Sequence, residues 1–289
     1  MAEGNVFKQG WSLDDVAWER FDASKVDAWM LTAIKAAALV EFNAPDYVTY
    51  LKRVFKDAGP EMIAAIEEWG REENQHGRAL GRWAELADSN FKLDEAFARF
   101  HQGYRPEHFA RADDVSVRGS RRGEMIARCV VESGTSTYYT AIKEATEEPV
   151  LKEIAGRIAA DEFRHYKLFF ETFHKQDERE LPFWQKARIA LGRVAESEDD
   201  ELAYAYYCAS VPREREAASP YDRARSANAT FGTLQRIYRR HHIVRLAQMV
   251  LKAVGLNPQG GLASFASGLI WQLFRIRAGL SGFAREKAA

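Results

Sequence analysis

The sequence predicts an all-α protein organised around four long helices, and three observations carry that expectation. Apolar residues recur at steps of three and four through several segments of helical length. No stretch of useful length alternates apolar and polar residues as a strand does. Two Glu-x-x-His units, Glu73 to His76 and Glu162 to His165, fall on the apolar stripes of two of those segments. Positions i and i+3 share one side of a helix, so each unit offers a carboxylate and an imidazole to one point in space.

The elements follow in order. Residues 1–22, with Gly4, Gly10 and Trp11, show little periodicity and form a separate N-terminal segment. A first helix is expected over 24–58, with Ser24 as N-cap and Val26, Trp29, Met30, Ile34, Ala37, Ala38 and Glu41 in helical register. Pro45 removes the hydrogen bond to the Glu41 carbonyl, so a kink belongs beside that carboxylate. Gly59-Pro60 makes the turn into a second helix over 60–86, where Ile66, Trp69, Glu73, His76, Leu80 and Trp83 share a face. Residues 87–119, rich in charge and aromatics, read as a long crossover. The third helix, 120–144, aligns Met125, Cys129, Glu132, Thr135, Ser136 and Tyr139. The fourth, 146–174, aligns Ile158, Glu162, His165 and Phe169.

Two further helices are expected at 178–195 and 200–210, then a mixed-charge linker, a basic amphipathic helix over 227–254, a break, and an apolar segment with Phe265, Leu269, Trp271 and Phe274. The expected organisation is therefore a bundle over 23–175, additional helices over 176–215, and a basic helical tail over 216–289.

Composition narrows the function classes. The 289 residues are 46% hydrophobic, enough for a full core, and the formal net charge of −1 hides a basic tail. From Tyr221 onward there are eleven Lys or Arg and only Asp222 and Glu286 as acids. Cys129 and Cys208 lie far apart in sequence, which supports neither a disulfide framework nor a thiolate metal site. No secretory signal and no membrane-spanning run is read, so a cytoplasmic protein is expected. Arg236, Arg239, Arg240, Arg245 and Lys252 suit an acidic carrier protein or an anionic membrane surface, and no nucleic-acid module accompanies them.

The spacing completes a ligand set. Glu41 stands 32 residues before Glu73, and Glu132 stands 30 before Glu162, as two hairpins of similar length. A Glu from each of two helices and a Glu-x-x-His from each of the other two is the donor set of a di-iron or di-manganese centre inside a four-helix bundle. Carboxylates with one imidazole per metal favour iron or manganese over structural zinc. Burying four carboxylates together without cations costs several kcal/mol each, roughly. Cys129, Met125 and Tyr139 read as core filling, as do Trp69 and Trp83.

With these residues in hand the chain resembles the soluble acyl-carrier-protein desaturases of the ferritin-like di-iron superfamily. The likeness rests on Glu72-Glu73-Asn74-Gln75-His76-Gly77, on Ile158-Ala159-Ala160-Asp161-Glu162-Phe163-Arg164-His165, and on Glu132-Ser133-Gly134-Thr135. It implies a ferritin-like bundle with Glu41, Glu73, His76, Glu132, Glu162 and His165 as ligands of two iron ions, and Asp161 with its counterpart Glu72 orienting the histidines. Thr135 would lie beside the oxygen pocket, or else bond back to a helix carbonyl. The implied activity is O2-dependent oxidation of an acyl chain held as a thioester, with acyl carrier protein as carrier. An external electron donor such as ferredoxin is expected, because the chain has no flavin motif and too few cysteines for a cluster. A homodimer is expected too. Two alternatives stand beside this: iron oxidation or peroxide scavenging of the rubrerythrin or ferritin kind, and an interaction or membrane-associated protein that keeps the bundle as a scaffold.

Overall fold

The computed structural model describes residues 10–104, 106, 114–175, 179–196 and 200–286, and among these every regular element is helical. The helices are α1 (Ala28–Phe42), α2 (Ala44–Val54), α3 (Pro60–Ala87), α4 (Leu93–Gly103), α5 (Arg121–Ala145), α6 (Pro149–Lys175), α7 (Phe183–Ala195), α8 (Asp200–Ser210), α9 (Arg223–Ile237), α10 (Arg240–Ala253) and α11 (Gly261–Glu286). Among the described residues, no helix is long and apolar enough to cross a membrane.

Four helices form the centre. The pair α1 and α3 packs side by side, α5 packs along α6, and α3 meets α6 across the middle. The later helices wrap this centre: α8 lies on α1, α9 on α8, α10 on α5, and α11 on α10.

Local chemistry explains the boundaries, including those that differ from expectation. Ser24 does not cap α1; it sits in a 3₁₀ turn, Ala23–Lys25, with its hydroxyl on Asp22, and α1 begins after Asp27. Instead of one kinked helix, the chain breaks at Asn43, and Pro45 falls in the first turn of α2, where its missing N–H costs nothing. Gly59, at φ +93°, turns the chain into α3 with Pro60 at the first position. The crossover contains α4, whose Phe97 packs edge-on against Phe42 at 4.8 Å and whose Phe100 is fully buried. Ser120 caps α5 by accepting the Gly123 N–H at 3.0 Å. Helix α6 starts three residues later than expected, with the buried Glu148 accepting the Leu151 N–H at 2.7 Å and the Trp83 indole N–H at 2.7 Å.

The expected basic helix over 227–254 is two helices, broken at Tyr238 and Arg239. The Arg239 N–H donates to His242 Nδ1 at 2.9 Å, which starts α10 afresh. Its basic residues lie over aromatic rings: Arg245 over Phe163 at 5.4 Å, Lys252 over Phe170 at 4.9 Å, and Arg236 over Trp29 at 5.3 Å.

The core divides in two. One apolar cluster gathers Ile34, Leu39, Leu80, Trp83, Tyr139 and Ile154; the other gathers Leu51, Phe55, Ile66, Met125, Cys129 and Phe169. Along each central helix the division falls at the same place: beyond Leu39 on α1, between Trp69 and Ala79 on α3, between Val130 and Tyr139 on α5, and between Ile158 and Tyr166 on α6. A polar layer occupies that gap.

Candidate metal centre

The layer consists of the residues singled out by spacing. Glu41, Glu73, His76, Glu132, Glu162 and His165 are all buried, and their donor atoms converge from α1, α3, α5 and α6. They form two groups that could each hold a metal ion, Glu41 with Glu73, His76 and Glu162, and Glu73 with Glu132, Glu162 and His165, with all ligand atoms in a group within 4.8 Å of one another. Glu73 and Glu162 belong to both. The two imidazole centroids stand 5.9 Å apart.

Helix geometry turns each imidazole toward the centre. His76 Nδ1 lies 3.1 Å from Glu162 Oε1 and 3.8 Å from Glu73 Oε2; His165 Nδ1 lies 3.0 Å from Glu73 Oε1 and 3.7 Å from Glu132 Oε2. The opposite nitrogens are tied outward. His76 Nε2 contacts Asp161 Oδ2 at 3.0 Å, and His165 Nε2 contacts Glu72 Oε2 at 2.7 Å. A carboxylate only accepts, so each Nε2 carries the proton, and in the neutral imidazole Nδ1 then presents a lone pair to the centre. Arg164 bonds both outer carboxylates, at 3.1 Å to Glu72 Oε1 and also to Asp161 Oδ1, and ties the two anchors together.

A metal pair fits this donor set. His76 Nδ1, His165 Nδ1, both Glu132 oxygens and Glu162 Oε1 are buried without a well-directed hydrogen bond. Unsatisfied buried donors and acceptors cost about 1 to 3 kcal/mol each, and a cation among these five could satisfy them together.

The electrostatics agree. Burial, then the Glu73 charge, pushes the Glu41 pKa well above the usual carboxylate range. Burial, reinforced by Glu162 and Glu73, does the same to Glu132 against the pull of His165. Burial opposes ionisation of Glu73 as well, but hydrogen bonds with Glu41, His165 and His76 outweigh it and hold this carboxyl low. Burial alone would depress His76 and His165, yet the carboxylates around them hold both imidazoles well above their ordinary value. Cations entering the layer would therefore displace protons.

Thr135 bonds back to a helix carbonyl and also meets a carboxylate of the layer. Its hydroxyl lies 2.5 Å from Glu162 Oε2, and 3.3 Å from the Val131 carbonyl one turn back. Two neighbours of the site escaped sequence reasoning. Tyr139, read as core filling, donates its hydroxyl to Glu41 Oε1; its position two turns after Glu132, on the same face, was the available signal. Trp11 donates its indole N–H to Asp161 Oδ2 at 2.7 Å and stacks on His76 at 6.2 Å, while Gln75 bonds the Trp11 carbonyl. Nothing in the periodicity of the N-terminal segment announces that contact. Cys129 and Met125 do fill the second apolar cluster.

The approach of α1 to α3 beside the ligands depends on one glycine. A Cβ at Gly77 would stand 2.6 Å from the Phe42 backbone nitrogen, so only glycine lets the two helices close on Glu41 and Glu73.

The layer opens into a cavity of about 650 Å³. Glu41, Glu73, Glu132 and Glu162 line its inner end with Thr135 and Tyr139, and the rest of its wall is mostly apolar. Small residues on α1, namely Ala33, Ala36 and Ala37, leave the space, and α9, α10 and α11 wall it with residues such as Leu234, Leu246 and Phe274.

A third His/Glu group, Glu144 with His241 and His242, lies near the surface. His242 Nδ1 accepts the Arg239 N–H, which leaves the proton on Nε2, facing Glu144 Oε2 at 3.1 Å. That trio ties α10 to the end of α5, and His242, with one ring nitrogen on the Arg239 N–H and the other facing Glu144, has no lone pair left for a metal.

Comparison of the chain with protein-family models finds no match, and comparison with curated proteins finds none either. The functional reading therefore rests on the geometry of the polar layer and its cavity.

Proposed function

We propose that this protein is an O2-dependent di-iron oxidoreductase with a ferritin-like bundle, acting on an apolar acyl chain as a desaturase or related oxygenase does. One observation carries the reading: two four-residue ligand groups sharing Glu73 and Glu162 line the inner end of an apolar cavity. In this reading Glu41 and His76 hold one iron ion, Glu132 and His165 hold the other, and Glu73 and Glu162 serve both. Manganese suits the same oxygen-rich donors. Bound there, the metal pair supplies O2 activation for oxidation of an unactivated C–H bond.

The protein's own residues do the rest. Glu72 and Asp161 fix the imidazole planes and tautomers. Thr135 and Tyr139 hold the Glu162 and Glu41 carboxylates where the cavity begins. The apolar wall excludes water and binds a methylene chain by burial, at about 0.8 kcal/mol per CH₂. Two buried cysteines cannot hold an iron–sulfur cluster, so electrons come from a separate donor such as a ferredoxin. Acyl carrier protein as substrate carrier, a cytoplasmic location and a homodimer belong to the same reading.

The test begins with metal analysis and an optical spectrum of protein purified from iron-replete cells. About two iron ions per chain are expected, lost on Glu162→Ala. An iron-free protein that stays folded and is indifferent to that substitution overturns the reading. Co-expression with a ferredoxin and its reductase, followed by lipid and thioester analysis, should reveal new double bonds or hydroxyls; peroxide turnover with no organic product would instead assign iron oxidation or peroxide scavenging.

A further inference from the structure

The surface around the cavity mouth carries an unusual pattern. Val194 at the end of α7, and Ile270 and Leu273 on α11, line the cavity and are also exposed, so they stand at its opening. On α11, Phe265, Leu269, Leu273 and Ile276 succeed one another at steps of four, four and three and form one solvent-facing stripe. The opposite side, Ala263, Ser267, Trp271 and Phe274, turns inward. On α7, Trp184 is 80% exposed and Leu191 69%. These helices are basic: α7 has Lys186, Arg188 and Arg193, of which Lys186 pairs with Glu180 and Arg193 with Glu196 beside the helix, and α11 has Arg275 and Arg277 with no acid before Glu286.

We infer that this lip is a membrane-docking face, and that its occupant is the interface of a bilayer containing anionic lipid. An amphipathic helix with aliphatic and aromatic side chains on one side and arginines beside them lies in the headgroup boundary. Tryptophan suits that boundary, with an apolar ring and a polar N–H. Arginine and lysine near the surface draw it to anionic headgroups. A second copy is a poorer occupant, because a two-fold contact would set a face on which Lys186, Arg188, Arg193, Arg275 and Arg277 outnumber Glu180 and Glu196 against itself. The basic residues Arg245 and Lys252 of α10, by contrast, lie over Phe163 and Phe170 of α6. With the lip in the bilayer boundary, the cavity becomes continuous with the hydrocarbon, and an apolar chain reaches the carboxylate layer without crossing water. This deepens the proposed function and rests on it only for the apolar chain that the cavity receives, here drawn from the bilayer in place of acyl carrier protein; docking itself needs no metal.

The experiment is flotation of the full chain with vesicles of phosphatidylcholine alone or with a minority of phosphatidylglycerol. Binding should be stronger by about tenfold or more on the anionic vesicles. Lipids brominated near the headgroup should quench tryptophan fluorescence in the wild type and quench it less in Trp184→Phe. Leu191→Glu with Leu269→Glu, at exposed positions outside the cavity wall, should abolish flotation while circular dichroism and metal content stay unchanged. Failure of the wild type to bind anionic vesicles overturns the inference, as does binding that survives the double substitution. Self-association without lipid, abolished by the same substitutions while vesicles go unbound, assigns the face to a second copy and also overturns it. Iron content is read separately: iron without flotation sinks only the docking face, and flotation without iron sinks only the oxidoreductase.

Discussion

His165 Nε2 on α6 is bonded at 2.7 Å by Glu72 of α3, and the relation is reciprocated by Asp161 of α6 on His76 of α3. Each Glu-x-x-His helix thus supplies the acid that orients the other helix's imidazole. Glu72→Gln and Asp161→Asn should each lower metal affinity by about 10- to 100-fold with the fold retained. Competition against a chelator of known affinity measures this; unchanged affinity would mean that the outer acids only pack.

Sharing of ligands sets a stoichiometric expectation. Glu73 and Glu162 serve both groups, whereas Glu41 and Glu132 serve one each. Glu162→Ala should empty both positions, while Glu41→Ala should leave the group around His165 complete and still able to load. Metal-to-protein ratios by elemental analysis distinguish the cases, and equal loss from the two variants would contradict the assignment.

Thr135→Val should leave the metal content intact, because the hydroxyl touches Glu162 without being a ligand in either group. The expected change is in oxygen consumed per product formed. Unchanged coupling would reduce Thr135 to its bond with the Val131 carbonyl.

Gly77→Ala drives a methyl group onto the Phe42 backbone. Overpacking of this kind costs about 1 to 3 kcal/mol, and here it also parts α1 from α3, so Tm and metal retention should fall together. A stable Gly77→Ala protein that holds its metal normally would show that the helices can slide apart at no cost to the site.

Lys35 reaches from α1 to Asp88 Oδ2 at 2.6 Å, at the end of α3, and this hydrogen bond holds the Asp88 carboxyl below its ordinary range. A depressed carboxyl stabilises the fold above its unfolded pKa near 4, and that contribution is lost as pH falls through the folded value. Asp88 is partly exposed, so Lys35→Met should cost about 1 kcal/mol or less at neutral pH, with the difference from wild type vanishing in acid. Denaturant midpoints at neutral and acid pH measure it.

The ligand layer was legible in the sequence because its residues are forced onto apolar stripes. A carboxylate or imidazole at a position spaced like Ile66 or Leu80 has no solvent to face, and four such helices leave it only the bundle's centre. Other features were hidden because their causes are tertiary. Helix α4 is short, and its Phe97 and Phe100 pay for their order against Phe42 and α8, partners invisible to a local window. The break between α9 and α10 depends on His242 turning back to the Arg239 N–H within a stretch whose amphipathic pattern runs straight through. Trp11 finds Asp161 across 150 residues of chain.

The division of the core into two apolar clusters by one ionisable layer has a consequence for where the protein opens. Without a cation to neutralise that layer, the weakest section lies halfway along the principal rods instead of at their frayed tips. If the proposed metal pair fills the layer, chains made without it should open at mid-length, and limited proteolysis of metal-free protein should cut there before it cuts at the helix ends.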